Sequence, residues 1–154
     1  MDDTATSYSL RGQLPLARAG VDRAGHLRSD EEWLDREWSD PRSRSFVVAE
    51  GKVAVDDGQL VLDRPDEMPD GERFFLGVDN EQLAFFAVHV DGRHPDSRAA
   101  GLRQAATVLD DRDGGLMVHA VALANWHQAH GHCSRCGALT TVTYAGHVRR
   151  CPVD

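Results

Sequence analysis

Between Ser45 and Val90 the apolar residues come in brief runs cut by turn residues. Phe46-Val47-Val48, Val53-Ala54-Val55 and Leu60-Val61-Leu62 are separated by Glu50-Gly51-Lys52 and Asp56-Asp57-Gly58. Short β-branched runs between Gly- and Asp-bearing breaks predict a meander of short antiparallel strands. After an acidic, Pro-bearing loop from Pro65 to Gly71, Phe74-Phe75-Leu76-Gly77-Val78 and Leu83 to Val90 flank Asp79-Asn80-Glu81. The second run is apolar at nearly every position, the pattern of a strand covered on both faces. His89 within it reads as a structural residue.

Elsewhere the period is helical. Ser29 or Asp30 can cap a helix starting at Glu31, because a short oxygen-bearing side chain satisfies an orphan N–H and Glu31 and Glu32 suit the positive helix end. Trp33, Leu34, Glu37 and Trp38 then give a short amphipathic segment ending before Pro41. Asp96 and Ser97 precede a second helical stretch with Leu102, Ala105, Ala106 and Leu109 on one side and Arg98 and Arg103 outside. Gly114-Gly115 is expected to break the chain. A third stretch through Gln128 carries a wide buried stripe of Leu116, Met117, Ala120, Val121, Leu123, Ala124 and His127. Trp126 reads as a core residue. The first 30 residues show neither period and read as extended or loop structure. The predicted class is α+β: an antiparallel meander sheet packed by two or three helices, followed by a small hairpin.

Composition narrows the function classes. The 154 residues are 41% hydrophobic and 27% charged, as in a soluble globular protein, and no apolar run approaches the length of a membrane span. The opening Met1-Asp2-Asp3-Thr4 lacks the basic segment and apolar stretch of a secretory leader, so cytoplasm is the expected compartment. A net charge of −8 disfavours electrostatic capture of a nucleic-acid backbone, although the last segment is locally basic through Arg135, Arg149 and Arg150. Those arginines read as a solvated face.

All three cysteines, Cys133, Cys136 and Cys151, fall in the last 22 residues. An odd count confined to one end argues against a disulfide framework and fits a reducing compartment in which thiols serve metal or catalysis. Cys133-Ser134-Arg135-Cys136 forms one C-x-x-C knuckle. Thr140 to Tyr144, a turn at Ala145-Gly146, and His147 to Arg150 form a hairpin that carries Cys151 back to it. Gly137 supplies the positive φ that a knuckle turn needs. This is the arrangement of a zinc ribbon with a structural zinc ion.

Asp154 stands where a fourth cysteine would be regular and ranks first as the fourth ligand, although carboxylate is harder than thiolate. His132 and His147 compete with it, as do water and a ligand outside the chain. His147 is expected to point away from the metal, and His132 would have to fold back over its own knuckle. His127, His130 and His132 also cluster, but no carboxylate orients them, and cationic capping of a helix C-terminus is the simpler reading.

Taken together, Phe74 to Asp79, Phe86-Ala87-Val88, Leu102-Arg103-Gln104-Ala105 and Ala120 to His127 running into His132 to Gly137 resemble the NADH pyrophosphatase family of Nudix hydrolases, from about Leu14 onward. The resemblance implies a Nudix-like domain over residues 1–130 and a zinc ribbon over 131–154, incomplete or variant at its second knuckle. It implies an intact protein that hydrolyses NADH or NAD to NMN(H) and AMP, commonly as a homodimer. The family's catalytic domain holds Mg²⁺ or Mn²⁺ through a G-x5-E-x7-R-E-x-x-E-E-x-G box. No segment of the sequence matches that box, and the acids at Asp56, Asp57, Asp110, Asp111 and Asp113 read as solvated turns.

The expectation is therefore a fragment of a longer enzyme or a naturally short chain, with no catalytic residues of its own. It would act as scaffold and connector, with Mg²⁺ or Mn²⁺ needed only in the absent domain. The sequence assigns no nucleotide-binding residues. A free-standing ribbon that grips a nucleotide or an RNA end through Arg149 and Arg150 is an alternative, as is a structural dimerisation protein.

Overall fold

The computed structural model describes residues 20–153. Its first helix, α1 (Glu31–Ser39), begins where the sequence places it: the Asp30 carboxylate accepts the Trp33 N–H at 2.9 Å. The strands that follow are β1 (Arg44–Val48), β2 (Lys52–Asp56) and β3 (Gln59–Leu60). Glu50 and Gly51 both have positive φ, as do Asp57 and Gly58, so both connections turn with the hand that matches strand twist. β4 (Glu72–Val78) and β5 (Ala84–His89) form an antiparallel hairpin, and β6 (Ala99–Gly101) leads into α2 (Leu102–Ala105). The long helix α3 (Asp111–Ala129) precedes the terminal hairpin of β7 (Thr141–Thr143) and β8 (Val148–Arg150).

The α+β class holds, with a mixed sheet. β1 lies parallel to β5, giving the order β1-β5-β4, while β2 sits between β3 and β6 in a second antiparallel sheet. Only an Ala49–Lys52 bridge joins β1 to β2. Alternation along a strand says which residues face inward but not which strand lies alongside, so the pairing of β1 was not legible locally.

Two helical predictions change. Ala99, Ala100 and Gly101 pair with Ala54, Val53 and Lys52, which reduces the second helix to the single turn of α2. Gly114 and Gly115 lie inside α3 rather than breaking it. Two glycines weaken a helix by about 1 kcal/mol each relative to alanine, and the first turn offsets this with carboxylates. Asp110 accepts the Asp113 N–H at 2.8 Å. Asp113 is fully buried; it accepts the Leu60 N–H at 2.9 Å and pairs with Arg112 at 2.9 Å. These acids are a cap and a buried tether, not solvated turns.

The sheet carries a core on each face. Phe74, Leu76, Phe85 and Ala87 pack against Leu116, Met117, Ala120, Val121 and Ala124 of α3. Phe75, Val78, Ala84 and Phe86 point the other way, toward Leu34 and Trp38 of α1, and the Trp33 ring meets Phe75 edge-on at 5.2 Å. β5 is thus covered on both faces as its composition predicts. His89 stacks on Phe74 at 6.3 Å, a structural position, whereas Trp126 is only half-buried against His127.

Replacing Asp113 by Ala leaves the buried Leu60 N–H without an acceptor and should lower stability by about 2 kcal/mol, read as a lower urea midpoint. An unchanged midpoint would show that the tether contributes nothing.

Candidate metal centre and its seam with the domain

The knuckle closes through backbone bonds: the Gly137 N–H donates to the Cys133 carbonyl at 2.9 Å and the Cys133 N–H to the Ala138 carbonyl at 2.8 Å. Gly137 has φ +75°, as a turn of this kind requires. β7 and β8 then pair from Thr141–Arg150 to Thr143–Val148, which returns Cys151 to the knuckle.

The three sulfur atoms lie within 4.8 Å of one another, and Cys136 Sγ is 3.5 Å from Cys151 Sγ. That separation is far too long for a disulfide. A tetrahedral zinc with Zn–S near 2.3 Å holds its sulfurs about 3.8 Å apart, so the donor set fits a metal ion of this kind. Backbone N–H groups of Cys136 and Arg135 draw the Cys133 thiol below its usual pKa, which favours the thiolate a metal requires. Asp154 lies outside the described residues. His132 and His147 are not in the cluster.

His147 instead anchors the ribbon to the domain. Its Nε2–H donates to the Phe75 carbonyl at 2.7 Å, while the Phe75 N–H donates to the Ala145 carbonyl at 3.1 Å. The ribbon turn therefore satisfies both peptide groups of one residue on the free edge of β4. Gly146 fits over the Phe74 ring, where a Cβ would collide.

His127 completes the junction from α3. Its Nε2–H donates to the Gly146 carbonyl at 2.7 Å, and its Nδ1 accepts from Arg149 at 2.8 Å. A ring with one donating and one accepting nitrogen is neutral, and burial first, then the Arg149 charge, depresses its pKa. The reading of His127 as a cationic helix cap is thereby corrected. His130 does lie at the helix end, with its Nδ1 3.1 Å from the Trp126 carbonyl.

Arg149 also donates to the Thr140 hydroxyl at 2.7 Å and the Thr140 carbonyl at 3.1 Å, so it is a structural residue rather than part of a solvated face. The neighbouring cleft of about 390 Å³ is lined by Asp70, Glu72, Asp91 and His89 as well as Arg149. Its carboxylates and its committed arginine make it a poor cradle for a pyrophosphate.

Sequence reasoning passed over His119. It lies on α3 with its ring 5.1 Å from that of His147, and its pKa falls to about 4 through burial and the nearby charges of His147, Arg23 and Arg28. A polar residue between the buried positions Leu116 and Ala120 was the available signal.

An α+β domain with a three-cysteine hairpin docked on its sheet edge is the class of protein that this fold and site define. A family model described as an NADH pyrophosphatase-like rudimentary NUDIX domain matches residues 35–126, and the chain belongs to that family. It is 30% identical over 162 aligned positions to the NAD-capped RNA hydrolase NudC of Mycobacterium tuberculosis, covering 97% of this chain and 50% of the relative. The human mitochondrial NAD(P)H pyrophosphatase NUDT13 is 47% identical over 79 positions, 50% of this chain and 22% of the relative. The chain thus spans about half the length of the mycobacterial relatives it matches. No described helix is long and apolar enough to cross a membrane.

Acid should loosen this seam. His119 titrates near 6.5 when unfolded but only near 4 when folded, so between those values the unfolded chain binds more protons and stability falls as pH drops. His127 and His147, both depressed, act in the same direction. Denaturation measured across this range should show the loss, and His119→Gln should flatten it relative to the parent. Parallel curves for parent and variant would remove His119 as a cause.

Proposed function

We propose that these residues are the non-catalytic scaffold and zinc-stapled connector of an NAD(H) diphosphatase, whose intact form cleaves the pyrophosphate of NADH or NAD to NMN(H) and AMP. The observation that carries this reading is the coincidence of the family match over residues 35–126 with a sequence that has no Nudix box. Phosphoanhydride hydrolysis needs clustered carboxylates to hold Mg²⁺ or Mn²⁺ and activate water. Among the described residues, the metal-ligating cluster is the thiolate one, which suits a structural ion. Relatives named as NAD-capped RNA and NAD(P)H hydrolases support a dinucleotide or a dinucleotide-capped RNA as the intact protein's substrate.

In this reading zinc is held by Cys133, Cys136 and Cys151, with Asp154 as fourth ligand. Leu139, Tyr144, Val148 and Val153 are exposed apolar side chains on the ribbon, which supports packing against further polypeptide, either a catalytic segment or a second copy in a homodimer. The domain division at residues 130 and 131 and a cytoplasmic location belong to the same proposal. The free-standing nucleotide- or RNA-gripping ribbon is less well supported, because Arg149 is committed to Thr140 and His127.

The purified chain incubated with NADH and Mg²⁺ or Mn²⁺ should release no NMNH or AMP on chromatography; appreciable conversion would overturn the non-catalytic reading. It should bind one zinc. Outer partners of a metal site are worth about tenfold to a hundredfold in affinity, so loss of a direct thiolate in Cys136→Ser should cost at least about tenfold. Unchanged affinity in Asp154→Ala would exclude that carboxylate from the site.

A further inference from the structure

Beside the seam, the segment before α1 crosses the edge of β4. The Asp22 N–H donates to the Val78 carbonyl at 2.9 Å and the Val78 N–H returns to Asp22 at 2.8 Å. The rings of His119 on α3 and His147 on the ribbon turn lie 5.1 Å apart, and the charges of Arg23 and Arg28 on the crossing segment act on both. We propose that Arg23, Arg28, His119 and His147 form a binding site for a phosphate group at the junction of β4, α3 and the ribbon.

Charge is the first argument. The groups that oppose a proton on His119 are His147, Arg23 and Arg28, and those that oppose one on His147 are Arg28, Arg23 and His127, all of them basic side chains. Among the described residues neither arginine makes an ion pair. The nearest carboxylates in sequence, Asp22 and Asp30, accept the Ala24 and Trp33 N–H groups, each at 2.9 Å. In a chain of net charge −8, four basic side chains gathered without a carboxylate are not what composition alone would produce.

Hydrogen bonding is the second. Arg28 Nε is buried with no partner, and its Nη2 reaches only the Arg23 carbonyl at 3.4 Å. A buried guanidinium N–H without an acceptor is costly, and an oxyanion supplies what is missing. A guanidinium fork matches the oxygens of a phosphate group, and a protonated imidazole donates through its nitrogens. Arg23 is exposed, and Arg28, His119 and His147 are half-buried.

The site carries its own signature. From α3 the facing titratable groups are His119 and His127, the latter also acted on by Arg149, Glu72 and His89; from the ribbon turn, His147; from the crossing segment, Arg23 and Arg28. β4 contributes the Phe75 carbonyl and the Leu76 backbone. Burial and like charges hold both imidazoles neutral near pH 7, and an anion reverses the sign of the local field. Binding should therefore draw protons onto His119 and His147.

The test uses the full chain, titrated with inorganic phosphate against chloride at constant ionic strength. Histidine ring signals are followed by NMR, and heats are measured in two buffers of different ionisation enthalpy. The expected result is movement of the His119 and His147 signals, net proton uptake, and binding weakened about tenfold or more in Arg28→Gln. AMP separates the sources: tighter binding than phosphate points to a nucleotide, and no gain points to the phosphate group alone. Ring shifts no larger than those with chloride, or unaltered binding in both Arg28→Gln and Arg23→Gln, would overturn the proposal. The scaffold reading does not depend on it, since a chain without phosphate affinity would be a scaffold still.

Discussion

The free edge of β4 is the constraint on which the rest of the molecule depends. An unpaired strand edge exposes peptide groups that must find partners and invites pairing with other chains. Here Asp22 closes the edge at Val78, and the ribbon turn closes it at Phe75 through the Ala145 carbonyl and the His147 ring. Because the ribbon supplies these partners itself, its position relative to the sheet follows from the hydrogen bonds of one residue. Gly146 over Phe74 and His127 beneath the turn then allow a single close approach.

That closure also sets the electrostatics. Folding the ribbon onto β4 removes His147 from water and brings it against His119, with Arg23 and Arg28 on the crossing segment. Beside this contact lie a buried guanidinium nitrogen of Arg28 without a partner and two imidazoles whose pKa values burial lowers. At the far end of the hairpin, the pairing of β7 with β8 that presents the turn to β4 also returns Cys151 to the knuckle. Edge closure and the cysteine cluster are two ends of one small hairpin, so a change at one end would be felt at the other.

Legibility varied with the range of the interaction. The Asp30 cap, the positive φ of Gly137 and the double coverage of β5 depend on neighbours in sequence, and all were readable there. The continuation of α3 through Gly114-Gly115 was not, because the compensating bond from Asp113 goes to Leu60, 53 residues away. The shortened α2 has the same cause: Ala99 to Gly101 reads as helix by composition, yet its pairing with β2 competes and wins. His127, read both as part of a buried stripe and as a cationic helix cap, and Arg149, read as a solvated cation, were resolved only when their partners, Gly146 and Thr140, were placed beside them.

By itself the sequence determined the α+β class, the family resemblance, and the convergence of Cys133, Cys136 and Cys151, because cysteine spacing and a turn between two short strands are local instructions. Only the tertiary structure decided that β1 runs parallel to β5, that Asp113 is a tether, and that the ribbon docks on β4 with basic side chains gathered at the seam. Those outcomes rest on groups distant in sequence that satisfy one another's peptide bonds and charges, and periodicity along a chain carries no record of such partners.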